Sequence, residues 1–136
     1  MSKKILYWDK YENPVKMILM REQSSELLIS IIQLVINNNG LFFSITNTHD
    51  ELTLIVDESI DCIKTFDNKE TYIAYILSDT GPLMEESGLL QKISAVFSNY
   101  NIPIMYTTTH NNNYLFVPKK YEKQTDGIIK NGVIID

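Results

Sequence analysis

Several residues in this 136-residue chain could do chemistry, and each has a second reading. Asp79-Thr80-Gly81 follows an apolar run, the local pattern by which two short chains pair two aspartates around one water for peptide hydrolysis. Only 57 residues follow Asp79, the next segment reads as a helix, and no apolar-glycine motif comes after it. Asp79 is therefore expected to be a loop residue. His49 and His110 occupy matching turn positions, but no cysteine or acidic cluster accompanies them at metal-ligand spacing. They are expected to be turn residues, and no metal is predicted. Cys62, the single cysteine, excludes an intrachain disulfide and a multi-cysteine zinc site. It is expected to fill space. Glu85 and Glu86 suit the first turn of a helix. The threonines 107–109 suit a strand. No nucleophile with base and orienter, phosphate loop or dinucleotide fingerprint is present. The expectation is a chain that is not an enzyme, with no catalytic residue and no cofactor.

Ser87-Gly88 is different, because it opens a helix. Unpaired N–H groups and the helix dipole favour a carboxylate there, and the absence of a Cβ lets a ligand approach the backbone. The same pair is also an ordinary turn device.

Composition narrows the partners. A net charge of −5 opposes a nucleic-acid partner, whose binding needs clustered cations; Lys119, Lys120 and Lys123 are interleaved with Glu122 and Asp126 and read as a solvated face. The longest apolar run, Leu27 to Ile36, is interrupted by Ser30 and Gln33 and falls short of the roughly 20 residues a membrane span needs. The basic N-terminus is followed by too brief an apolar stretch for a signal peptide, so no membrane and a cytoplasmic location are expected.

The elements that must position these residues show an internal repeat. Ser44-Ile45-Thr46-Asn47-Thr48-His49 resembles Met105-Tyr106-Thr107-Thr108-Thr109-His110 at an offset of 61 residues. The same ungapped offset pairs Leu28 with Leu89, Ile32 with Ile93, Val35 with Val96, Phe43 with Ile104, Leu54 with Leu115 and Val56 with Val117. In the first copy, 1–65, a strand is expected over 15–20. A helix capped by Ser24 or Ser25 should bury Leu27, Leu28, Ile31, Ile32, Leu34 and Val35. Strands over 41–47 and 51–57 and a short helix over 57–63 complete it. In the second copy, 66–136, a strand is expected over 72–78, then a Ser87-capped helix with Leu89, Leu90, Ile93, Val96 and Phe97 along one stripe. Strands over 102–107 and 114–117 follow, then a helix starting at Pro118 and ending near Gly127, and a strand over 133–135. The βαββαβ order predicts an α+β fold: two tandem ferredoxin-like repeats, each an antiparallel sheet with its helices on one face.

At this point the residues resemble a known family. Phe42 to Thr46 with Glu51 to Glu58, and Ser87 to Ile93 with Ile104 to Thr109 and Tyr114 to Val117, are similar to the paired ACT repeats of the cytosolic arginine sensors called CASTOR proteins. The resemblance covers about residues 16–120 and corresponds to half of such a four-repeat sensor, the size of small bacterial two-repeat ACT proteins. It implies a regulatory protein that binds an amino acid at a repeat or dimer interface. It also implies a homodimer imitating the four-repeat form, with a regulatory protein partner. Carried over by position, the ligand contacts fall on Glu86, Gly88, Leu90, Thr109, His110 and Asn113, with Pro103 and Ile104 from a facing repeat. Asn113 stands where the arginine sensor has aspartate, and Pro103 where it has serine. Losing that carboxylate removes a partner for a guanidinium, so a neutral or differently charged amino acid fits equally. Leu27 is the mate of Gly88 and would fill the carboxylate position, which makes the second repeat the better site. The alternative class is a ligand-free ACT-fold interaction subunit. An RNA-binding ferredoxin-like domain ranks third, opposed by charge and by the lack of an aromatic sheet-face motif.

Overall fold

A computed structural model describes residues 4–20, 25–38, 40–64, 70–77 and 88–135. The chain groups into two compact units. One is Asn13–Tyr72; the other joins Met1–Glu12 to Ile73–Asp136. This differs from a division at 65/66, because the N-terminal segment associates with the C-terminal half of the sequence.

The Asn13–Tyr72 unit contains β3 (Val15–Leu19), α1 (Ser25–Asn37), β4 (Phe43–Asn47), β5 (Leu52–Asp57), α2 (Asp61–Lys64) and the first residues of β6 (Thr71–Leu77). Its strand order is β4-β5-β3-β6, antiparallel at each of the three pairings. Alternation in the strands explains the face that packs. Ile18 and Met20 from the β3 side, and Leu54 and Val56 from β5, meet Ile31 of α1, with Leu27, Leu28 and Val35 half-buried beside them. Leu34, expected inside, is 41% exposed: it lies toward the flank of a helix whose buried stripe centres on Ile31. Cys62 packs half-buried against this core. Of the expected 57–63 helix only 61–63 is helical, within α2, because Asp57 is fully buried at the strand end, where its carboxylate accepts from the Ser59 N–H at 2.7 Å and from Asn13 Nδ2 at 3.1 Å.

The second unit contains β1 (Lys4–Leu6), β2 (Asp9–Lys10), most of β6, α3 (Leu89–Asn99), β7 (Met105–Thr108), β8 (Asn113–Pro118), a 3-10 turn over Lys119–Tyr121, α4 (Glu122–Ile129) and β9 (Val133–Ile135). β6, β8 and β7 are neighbours in that order, and β2 lies on β6 through Asp9↔Ile76 and Lys10↔Tyr75. β1 and β9 form a separate antiparallel ribbon. Leu89, Ile93 and Phe97 of α3 bury against Ile73, Tyr75, Leu77, Leu115 and Val117, and Leu6 and Trp8 join the same core. Leu90 is 51% exposed, off the α3 stripe. Pro118 does not open the closing helix. Its φ of −53° and ψ of 139° keep it extended at the end of β8, and α4 starts at Glu122 after the 3-10 turn.

A charged cluster fixes β2. Lys10 Nζ lies 2.9 Å from Asp126 Oδ2 and 2.7 Å from Glu122 Oε2, while Tyr75 Oη donates to Asp126 Oδ1 at 2.8 Å. Partial burial opposes the Lys10 charge, but the two carboxylates outweigh it and raise the amine above its ordinary value.

Both units are mixed α+β with antiparallel pairing. Leu54 and Leu115, and Val56 and Val117, are fully buried at the offset read from the sequence. The turns match as well: Thr48 N–H donates to the Glu51 carbonyl at 2.8 Å, and Thr109 N–H to the Asn112 carbonyl at 2.9 Å. Among the described residues, no helix is long and apolar enough to cross a membrane.

Candidate functional site

α3 runs directly into the approach to β7. Asn101 N–H donates to the Ser98 carbonyl at 3.0 Å and Ile102 N–H to the Phe97 carbonyl at 3.0 Å. The helix is about 16 Å long at 1.5 Å per residue, and its buried residues share the core of Ile104, Tyr106 and Leu115. The start of α3 therefore lies toward the end of β7 at Thr108 and the start of β8 at Asn113. This brings Gly88, Thr109, His110 and Asn113 to one end of the unit.

Gly88 holds the N-cap position with φ 82° and ψ 10°, and among the described residues no side chain caps the helix. Among the described residues, a Cβ placed on Gly88 would meet only Gln91 Oε1, at 3.9 Å. First-turn N–H groups at such a start have no partner within the helix. Thr109 is exposed and its hydroxyl belongs to the turn, accepting from Asn112 N–H at 3.3 Å. His110 is exposed at the tip. Asn113 is only 3% exposed, on the helix-facing side with Leu115 and Val117, and its Nδ2 has no partner. Such a buried donor costs roughly 1–3 kcal/mol if it stays unpaired.

Pro103 and Ile104 sit at the opposite end. Five residues of extended chain separate Ile104 from Thr109, on the order of 16 Å, so they do not join the Gly88 end within one unit. Exposed Leu90 lies on the first turn of α3. Glu86, Ser87 and Asp79 lie outside the described residues.

Sequence reasoning missed Tyr106. It packs on the core, its hydroxyl is buried without a partner, and it is paired in register with Leu115. Two residues along β8 from Leu115, on the same face, is Asn113. The offset comparison held the signal: the mates of Tyr106 and Asn113 are Ile45 and Leu52, both aliphatic. Trp8 Nε1 and Thr125 Oγ1 are also buried and unpartnered, outside this hairpin. The Asn13–Tyr72 unit has a groove lined by Leu34, Asn38, Leu41, Ser59, Ile60 and Asp61, but there Asn38 Nδ2 is engaged by the Leu34 carbonyl at 2.8 Å. Among the described residues, no group of three or more His, Cys, Asp or Glu could hold a metal ion.

Burial pushes the Tyr106 phenol up to about 12. Burial and the Asp126 carboxylate also push Tyr75 upward. A phenol is neutral when protonated, so a raised folded value favours folding fully below the unfolded value of about 10 and loses that contribution as pH rises through the folded value. Urea midpoints should therefore fall between pH 10 and 12, and Tyr106→Phe should make that fall shallower. An identical alkaline profile for the variant would mean the hydroxyl is solvated.

No protein-family model matches the chain, and no curated protein matches it. Solved structures do. A Vibrio cholerae protein of unknown function, described as a possible transport protein, superposes with a TM-score of 0.70 at 10% identity, over 93% of this chain and 88% of that one. An Agrobacterium tumefaciens protein gives 0.58 at 19% identity, over 94% and 89%. The aspartate kinase of Clostridium acetobutylicum, described as an allosteric enzyme, gives 0.57 at 17% identity, over 91% of this chain and 33% of the kinase. At these identities the likeness establishes a shared fold, a mixed α+β architecture that this chain holds in common with a third of an allosteric kinase.

Proposed function

We propose that this chain is a non-catalytic regulatory protein of the ACT type, built of two tandem ferredoxin-like repeats, which binds an amino acid at the Gly88 end of its second unit. The observation that carries the reading is the Asn113 amide, buried and unpartnered in the unit whose α3 starts, among the described residues, without a side-chain cap. The α3 N–H groups would hold the ligand α-carboxylate, because partial positive charge gathers there. The fold likeness to part of an allosteric kinase supports regulation over catalysis. The resemblance to the arginine sensors supplies the ligand class and the cytoplasmic setting.

Pro103 and Ile104, at the far end of the unit, would serve a facing copy in a homodimer. The uncharged outer strand β4, Phe43–Asn47, supports self-association, since such edges pair readily when no charge or proline protects them. Light scattering at micromolar concentration should give a dimer; a monomer would remove Pro103 and Ile104 from the site.

The direct test is a thermal-shift screen across the standard amino acids, then calorimetric titration of Gly88→Leu with whichever one stabilises the wild type. Gly88→Leu should stay folded, at a cost of about 1–2 kcal/mol for a left-handed leucine, and should lose binding. Normal binding by the folded variant would move the ligand away from α3. If no amino acid shifts the wild type, the ligand-free interaction subunit takes its place.

A further inference from the structure

The two units differ at one pair of positions in a way that stability alone does not explain. In the Asn13–Tyr72 unit, Ile45, 43% exposed, and half-buried Leu52 share by register the face of Leu54 on the β4–β5 hairpin. At the same offset, the β7–β8 hairpin carries Tyr106 and Asn113. Each substitution adds a buried polar atom, and both atoms, Tyr106 Oη and Asn113 Nδ2, lack a partner. Two aliphatic residues are compatible with this hairpin, so the polar pair costs folding free energy with no internal return.

The two side chains are also close enough to act together. Tyr106 is opposite Leu115 and Asn113 is two residues from Leu115, which makes them diagonal neighbours on one face of an antiparallel pair. Diagonal Cβ atoms lie roughly 7 Å apart, within reach of an aromatic side chain. An amide N–H can only donate, and a phenol raised to about 12 keeps its proton at any physiological pH. Both groups can therefore donate to one acceptor, the amide N–H as a donor only and the phenol as donor or acceptor.

We propose that Tyr106 and Asn113 form a donor pair that receives an oxygen acceptor on the ligand side chain, so that this site selects amino acids bearing a carboxamide or a carboxylate over those bearing a cation. The inference rests on the ligand-binding reading above and adds the ligand's side-chain chemistry. A guanidinium or ammonium can donate to the Tyr106 oxygen, but it leaves the Asn113 N–H unpaired. An oxygen satisfies both at once, and rejection of a ligand lacking the matching group is where buried polar pairs discriminate most strongly.

The test is calorimetric titration of the full chain with glutamine, asparagine, glutamate, aspartate, arginine and lysine. At least one of the first four should bind, and arginine and lysine should bind at least ten-fold more weakly; the amide and acid arms tell a carbonyl from a carboxylate oxygen. Tyr106→Phe should weaken binding by roughly ten-fold, the scale of one lost hydrogen bond, while its urea midpoint stays level or rises. A merely structural hydroxyl would not move those two readouts in opposite directions. Asn113→Leu, which copies the other unit, should act likewise. If that variant fails to fold, Asn113→Asp should fold and reject the acidic ligands. Tighter binding of arginine or lysine, or unchanged affinity in folded Tyr106→Phe, overturns the donor pair and leaves the site standing. Absence of binding by all twenty amino acids overturns the ligand-binding reading and the donor pair with it.

Discussion

Leu6→Ala should destabilise the second unit by about 2–5 kcal/mol, the range for truncating a buried leucine. Leu6 is 1% exposed in the same core as Val133, Ile135 and Phe97. It belongs to a strand of three residues that looks dispensable by length. The core has no substitute for it, because β1 is the ladder partner of β9 among the described residues. Trp8, the chain's one tryptophan, is buried in that core and reports on it directly. A urea titration followed by tryptophan emission therefore reads the effect where it arises. A midpoint equal to the wild type would show that the N-terminal segment does not contribute to folding of the second unit.

Gly132→Ala should be the second large loss. Gly132 has φ 86°, and a Cβ there would lie 2.5 Å from Ile5 Cγ2 and 3.0 Å from Tyr7 Cε1. A left-handed alanine costs about 1–2 kcal/mol, and forced overpacking adds about 1–3 kcal/mol. Ile5 and Tyr7 are 49% and 66% exposed and have room to turn aside, which places the sum toward the lower end. Gly88→Ala separates the two causes. It shares the left-handed backbone, at φ 82°, but among the described residues meets nothing closer than 3.9 Å. Denaturant midpoints should rank wild type, Gly88→Ala and Gly132→Ala in falling order. Equal midpoints for the two variants would mean that β1 yields without cost.

Much of this was legible in the residues, for physical reasons that also mark where legibility ends. The hairpins were readable because their strands alternate and their turns reuse a threonine and a histidine. The offset of 61 then placed β5 on β8 residue for residue. α1 and α3 were readable from helical periodicity, although Leu34 and Leu90 were assigned inward because an apolar side chain on a helix flank looks the same in sequence as one at its centre. β1 and β2 were illegible: three and two residues carry no periodicity, and their pairing partners lie far along the chain. The Gly88 end is proposed from asking where a carboxylate would go. Tyr106 was missed because the strand expected over 102–107 does not set it apart from its neighbours, although its mate Ile45 showed that a polar atom had been introduced. Pro103 and Ile104 were assigned by resemblance alone, and only the connection from α3 to β7 shows how far along the strand they stand from Asn113.

The β1–β9 ribbon makes Lys4 and Ile135 cross-strand partners, which puts their Cα atoms about 5 Å apart. Lys4 and Ile135 thus offer two neighbouring attachment points. A fold with that property can be spliced into an exposed loop of a host protein with little added closure entropy, because the host sees two attachment points as close as those of a tight turn. Ordering or loosening of the ribbon would then be transmitted to the host as a change in the span of its own loop. In such a chimera the paired β1–β9 ribbon would be the hinge between the inserted fold and its host.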